Sequence, residues 1–271
     1  MIPCNNLLTR HPVVAGLPTE EDYSQTANSL SPRSINRGVD LKILPLGASI
    51  TFGSDSSTGN GYRKFLQDML EANGNDVSYV GTHFNGDMTD NAVEAIPGYT
   101  IGLMDGSAES SGVWNYIPNV VLVFLGTNDC NAPLHNPADG PPAMKKLLQH
   151  IRGHSPKALT IVAGVIHNLD STRDACTKNL DNELGQVVRQ ARRDGQNVAF
   201  VNMFDTVPYD EIDTNDKTHP HDAGYKLIAQ KWFDTLNQHG RQISAPDSRG
   251  KAAPGHGSTS GKSKREEHFY A

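Results

Sequence analysis

Five residues and their neighbours carry the chemistry legible in this chain. They are Ser49 in Gly47-Ala48-Ser49-Ile50-Thr51, Gly98 in Pro97-Gly98-Tyr99, Asn128 in Gly126-Thr127-Asn128-Asp129, and Asp216 with His219 in Asp216-Lys217-Thr218-His219-Pro220. A serine hydroxyl is a poor nucleophile at neutral pH. It needs a base within hydrogen-bond reach and a third group that orients that base. His219 supplies a base, and Asp216, three residues earlier, an orienting carboxylate. The charge that builds on an attacked carbonyl oxygen needs fixed donors. The backbone N–H groups of Ser49 and Gly98 and the Asn128 amide are suited to that task, and Gly98 has no side chain to obstruct a substrate.

Plainer roles compete for each of these residues. A serine between a glycine and a helix is most often a turn or cap residue. Asp213 is a rival orienter. His221 reads as a rim residue, Asp129 as a loop tie, and Trp114 and Tyr116 as packing residues. His167 and Asn168 follow an apolar run and are candidates by position only. A metal-dependent hydrolase could draw on Asp216, His219, His221 and Asp222, with Asn128 and Asp129 near them, but no His-Glu-x-x-His pattern is present and Ser49 would be idle. A nucleotide-binding loop is absent after the first apolar run, where neither Gly-x-Gly-x-x-Gly nor a Walker sequence occurs.

These residues must be placed by the elements around them. Five short, mostly β-branched apolar runs, Leu41–Leu46, Val77–Val80, Val120–Leu125, Leu159–Val165 and Val198–Met203, lack strict alternation and suit strands covered on both faces. Helical patterns over Tyr62–Ala72, Ala143–Ile151, Asn179–Arg193 and Ala223–Leu236 separate or follow them, with a weaker, glycine- and serine-containing segment at Ile101–Tyr116. Alternation of strand and helix predicts an α/β protein, a three-layer α/β/α sandwich on a five-stranded parallel sheet. In such a sheet ligands meet the loops at the carboxyl ends of the strands, where the five residues above all lie.

Composition sets the outer limits. The 271 residues suffice for one large domain, and the apolar fraction of 37% together with 25 glycines excludes a mostly disordered chain. No apolar run approaches the ~18 residues of a membrane span, so no membrane association is expected. The net charge is −6, and the 238 residues before His239 carry −9, so no nucleic-acid partner is expected. Residues 1–38 read as an extended arm, 39–239 as the catalytic-type domain, and 240–271, rich in Gly, Ser, Lys and Pro, as a disordered tail. Met1–Arg10 lacks the basic and apolar stretches of a signal peptide. Cys4, Cys130 and Cys176 are too few for a disulfide scaffold; a single Cys130–Cys176 bridge and free thiols both remain open.

The four blocks, in this order and across most of residues 41–236, resemble the SGNH (GDSL-type) hydrolases, especially the microbial branch that contains carbohydrate acetyl esterases. The resemblance implies a flavodoxin-like sheet, a Ser49–His219–Asp216 triad, an oxyanion hole from Ser49, Gly98 and Asn128, and neither metal nor organic cofactor. It implies hydrolysis of short-chain, acetyl-type esters, with acetylated polysaccharide as substrate class. A lipase-like or acyl-transferring enzyme and a catalytically silent carbohydrate-binding relative are the alternatives. It also implies an extracellular location, which the missing signal peptide does not support. A monomer is the default expectation. One position departs from the family: Ala48 stands where an aspartate usually precedes the serine.

Overall fold

In a computed structural model, residues 34–131 and 133–254 are described. The expected arm up to residue 33 and the expected tail from residue 255 lie outside them. In chain order the described elements are β1 (Leu41–Gly47), α1 (Ser49–Phe52), α2 (Tyr62–Ala72), β2 (Val77–Tyr79), β3 (His83–Phe84), β4 (Ala92–Ala95) and α3 (Ile101–Ser111). β5 (Val120–Phe124), α4 (Gly140–His154), β6 (Leu159–Ala163), α5 (Ser171–Arg193), β7 (Val198–Val201) and α6 (Asp222–His239) follow.

All five expected strands form, as β1, β2, β5, β6 and β7. The sheet is nonetheless seven-stranded, in the order β3-β4-β1-β5-β6-β7 with β2 also on β1, so the five-stranded prediction is corrected. The two additions are β3 and β4, which pair antiparallel to each other, whereas β4 runs parallel to β1. β4 escapes an apolar-run reading because buried Glu94 sits inside it. There Thr82 donates its N–H and its hydroxyl to Oε2, each at 2.8 Å, while Oε1 is buried without a hydrogen-bond partner.

Alternate residues of each strand face opposite layers. Ile43, Leu122 and Ile161 pack with Tyr62, Leu66, Trp232 and Leu236 of α2 and α6. Leu44, Val121 and Val162 pack with Met104, Met144, Leu147 and Leu184 of α3, α4 and α5. Each such side chain is worth roughly 1.5–3 kcal/mol on burial, which is why the strands read as unbroken apolar runs. Two helices run longer than their apolar period suggests. α5 begins at Ser171 because Asp170 accepts hydrogen bonds from Thr172 N and Arg173 N, and α4 begins at Gly140 with prolines in its first turn. The expected helix over 101–116 is α3 followed by a separate 3-10 turn, Val113–Tyr116.

Packed chain extends past both expected boundaries. Asn75 clamps Ile35 by accepting from its N–H and donating to its carbonyl, each at 3.0 Å. On the other side, residues 240–254 of the expected disordered tail lie on the body. Ile243 is buried, Asn119 donates to Ser244 O at 2.7 Å, and Lys251 N donates to Asn115 O at 2.8 Å. Polar, glycine-rich composition predicts weak packing of side chains, but here the backbone is held by other elements' hydrogen bonds. No helix among the described residues is long and apolar enough to cross a membrane.

Two features fix α5 to the strand ends. A disulfide joins Cys130, just past β5, to Cys176 in α5. Deeper in, Asp181 of α5 accepts from Val165 N at 2.7 Å, while its second oxygen is buried without a partner against Gly164. Burial pushes the Asp181 carboxyl up to about 7, against the opposing pull of the Val165 N–H. Because the value is raised on folding, the contribution is complete below about pH 4 and is lost as pH rises through about 7.

Replacing both Cys130 and Cys176 by serine should lower unfolding free energy by up to about 4 kcal/mol, the loop-closure value for cysteines 46 residues apart. The denaturant midpoint under non-reducing conditions measures it. Asp181→Asn keeps an acceptor for Val165 and removes the buried charge. It should shrink the loss of stability between pH 5 and 8 by about 1–3 kcal/mol, read from chemical denaturation at each pH. An unchanged pH dependence would show that the Asp181 carboxyl is not raised on folding.

Candidate active site

The site starts at the end of β1. There Leu46 and Gly47 pair with Glu94 and Ala95 of β4 on one side and with Val123 and Phe124 of β5 on the other. Three segments therefore leave the sheet side by side: Ala48-Ser49, Ile96–Tyr99 and Leu125–Asn128. Gly47 is required by space, since a Cβ there would fall 2.1 Å from Thr51 Oγ1 and 2.9 Å from Phe124 O. Ser49 follows at once, nearly buried, as the first residue of α1.

Asn128 joins two of these segments by donating one amide hydrogen to Tyr99 O at 2.9 Å. Its amide carries a second hydrogen. Gly98 has φ 84°, a conformation that favours glycine, and nothing lies within 4 Å of where its side chain would be. That space is open to an incoming group. Asp129 caps the start of α3, accepting from Ile101 N at 3.1 Å. Burial pushes its carboxyl up to about 6, with the Ile101 N–H pulling the other way. Ala48 is buried in the apolar layer under α3, α4 and α5. The ties between loops run instead through Asn128, Asp129 and the Cys130–Cys176 disulfide.

The other half of the site is the loop before α6. Asp213 closes it, accepting from Asn215 N at 2.6 Å and Asp216 N at 3.0 Å, while its own N–H donates to His219 O at 2.8 Å. Asp213 is thus a loop brace and makes no contact with the imidazole. Asp216 Oδ1 accepts from Thr218 N and His219 N at 2.8 and 3.0 Å. Its Oδ2 lies 2.5 Å from His219 Nδ1, and since a carboxylate only accepts, Nδ1 carries the hydrogen. His219 Nε2 is buried and has no hydrogen-bond partner. Burial raises Asp216, but the N–H groups of His219 and Thr218, the imidazole and Asp55 outweigh it and hold the carboxyl down to about 2.

The loop after β6 supports this half. Asn168 donates to Thr218 Oγ1 at 3.1 Å, and Leu169 N donates to Lys217 O at 2.9 Å. His167 does not serve as a base: Asp174 lies 3.1 Å from Nδ1, Asp205 lies 3.2 Å from Nε2, and the ring packs between Phe204 and Tyr209. His221 is exposed at the start of α6. Trp114 stacks on His154 and donates to Glu109 at 2.8 Å, a packing role.

Asp55 was not legible as a site residue, because Ser54-Asp55-Ser56-Ser57 reads as a plain turn. Its Oδ2 lies 3.6 Å from His219 Nδ1. The loop is held on α6, where Tyr225 donates its hydroxyl to Ser54 O and Asp222 accepts from Ser57 N and Oγ. Arg63, also unsignalled, is buried beneath and donates to the carbonyls of Phe52, Gly59, Asn85 and Asn91. Because Ser54 N donates to Ser49 O at 3.0 Å, this loop links the serine turn to the histidine. Among the described residues, Asp55, Asp216 and His219 form a grouping able to present ligand atoms to a cation; His221 and Asp222 are not part of it.

The chain is similar to several proteins of known type. It is 24% identical over 254 residues to a multidomain esterase of Ruminococcus flavefaciens, covering 84% of this chain and 32% of that protein; the chain thus spans about a third of that relative's length. A family 3 carbohydrate esterase of Clostridium thermocellum has a similar structure, with TM-score 0.63 and 23% identity over 74% of this chain and 98% of the other. So does a catalytic mutant of Axe2, an acetylxylan esterase of Geobacillus stearothermophilus, with TM-score 0.57 and 17% identity over 77% and 98%. Residues 46–227 match the GDSL-like lipase/acylhydrolase family, a span that holds Ser49, Gly98, Asn128, Asp216 and His219. With residues 46–227 so matched, the chain belongs to the GDSL-like lipase/acylhydrolase family.

Proposed function

We propose that this chain is a serine esterase that removes short acyl groups, acetyl above all, from carbohydrate esters through an acyl-enzyme. The observation that carries the reading is His219: its Nδ1 is held by Asp216, while its Nε2 is buried, unpartnered and free to take a proton. The carbohydrate and acetyl components rest on what the similar esterases are named for.

In acylation, Ser49 Oγ forms a bond to the ester carbonyl carbon and its proton passes to His219 Nε2. Asp216 keeps Nδ1–H in place and stabilises the imidazolium. The tetrahedral oxyanion is met by the N–H groups of Ser49 and Gly98 and by the Asn128 hydrogen left over from Tyr99. When the carbonyl re-forms, the bond to the sugar oxygen breaks and that oxygen takes the proton from Nε2. Water then repeats the sequence on the acyl-serine, with His219 again accepting and returning a proton. Catalytic hydrogen bonds often tighten only with substrate bound, so an unpartnered Nε2 in the resting site is compatible with this role.

A fluorophosphonate should add once to the wild-type chain and not to Ser49→Ala, as read by intact-mass spectrometry, with the adduct surviving a chelator. An adduct that persists in Ser49→Ala removes the nucleophile assignment. Wild type should release acetate from acetylated xylooligosaccharides and should prefer p-nitrophenyl acetate to longer-chain esters. Asn128→Ala should lower kcat by about 10²–10³-fold, and unchanged turnover would remove Asn128 from the oxyanion hole.

A further inference from the structure

The mechanism above leaves one group beside the imidazole without a task. His219 Nδ1 faces two carboxylates, Asp216 Oδ2 at 2.5 Å and Asp55 Oδ2 at 3.6 Å. The second distance is too long for a hydrogen bond while Asp216 occupies the nitrogen, but it lies within ion-pair range. Asp55 is also held there. It has φ 62°, a backbone conformation rare outside glycine and tolerated best by aspartate and asparagine. The residues on either side are fixed to the first turn of α6, Ser54 through Tyr225 and Ser57 through Asp222. His219 lies three residues before that same helix, so neither group can drift from the other without unseating the turn.

We propose that Asp55 is a second orienting carboxylate for His219, able to accept the Nδ1 hydrogen bond when Asp216 cannot. The proposal rests on the assignment of Ser49 and His219 as nucleophile and base. The interaction with Asp216, then burial and the charges of Asp216 and Asp213, push Asp55 above the ordinary carboxylate range, with His219 working against them. Asp216, Asp213 and His219 all come from the loop before α6, and the Tyr225 hydroxyl comes from α6 itself. Asp55 is a positioning residue in this scheme, since it acts on the substrate only through the imidazole.

A double-mutant cycle of Asp55→Asn and Asp216→Asn tests it. Asparagine tolerates the left-handed backbone at position 55 and keeps the side-chain shape. The readouts are kcat/KM on p-nitrophenyl acetate, the rate of fluorophosphonate addition, and the downfield imidazole N–H resonance in proton NMR. Asp55→Asn alone should cost less than about tenfold. Asp216→Asn should lose about 10²-fold, short of the roughly 10⁴-fold seen when a sole orienting carboxylate is neutralised. Combining them should cost a further ~10- to 10²-fold and abolish any N–H resonance that Asp216→Asn retains. If the double variant is no slower than Asp216→Asn, Asp55 has no orienting role and the proposal falls. Should wild type fail to react with the fluorophosphonate, it is instead the nucleophile assignment that fails.

Discussion

Gly47 sits between β4 and β5 in parallel register, and the site depends on that pairing. Parallel strands direct their carboxyl ends to the same edge. The register that sets Gly47 beside Ala95 and Phe124 therefore delivers Ser49, Gly98 and Asn128 to neighbouring loops. A shift of one residue in either pairing would turn the loops away and drive a Cβ or carbonyl into Thr51. Packing on both faces holds the register, since every residue of β5 is buried and a slip would exchange the side chains of two differently shaped layers.

The second half of the site is built without strands. Asp213 and Asp216 each accept backbone N–H groups two and three residues ahead, so consecutive Asx turns shape the loop and aim His219. α6 starts directly after this loop and holds the 53–60 segment as well. Arg63 serves the same end from below: a buried guanidinium donates to carbonyls at four positions, two of which, Phe52 O and Gly59 O, also accept from the Asn85 amide. A lysine could not supply that planar set of donors. The two halves of the site meet because Ser49, Asp55 and His219 are joined through one stretch of chain anchored at both ends.

Ala48 gains meaning from this arrangement. The aspartate usual at its place would have to be hydrogen-bonded in an apolar layer, where an unpaired carboxylate is costly. In this chain the loops are tied by Asn128 on Tyr99 O, Asp129 on Ile101 N and the disulfide into α5. These act on the asparagine block and α3, the elements that frame the proposed oxyanion hole. Asp129 is itself raised by burial, so the tie carries a cost in the ionised form, and the covalent link beside it does not.

Residue types and periodicity by themselves determined five of the seven strands, the four principal helices, the three-layer order, and the blocks holding Ser49, Gly98, Asn128, Asp216 and His219. They could do so because burial on both faces demands unbroken apolar runs, and because Asp216 aims His219 through contacts only three residues long. Tertiary structure decided what depends on distant partners. β4 forms by pairing with β1 around a Glu94 whose Oε2 is met by Thr82, and α5 reaches back to Ser171 through a cap rather than an apolar face. Residues 240–254 pack by lending carbonyls and N–H groups to Asn119 and Asn115. Cys130 and Cys176 are bridged because β5 and α5 bring them together. Asp55 lies more than 160 residues from His219, and no local pattern can announce a contact made only when two loops are seated on the same helix turn.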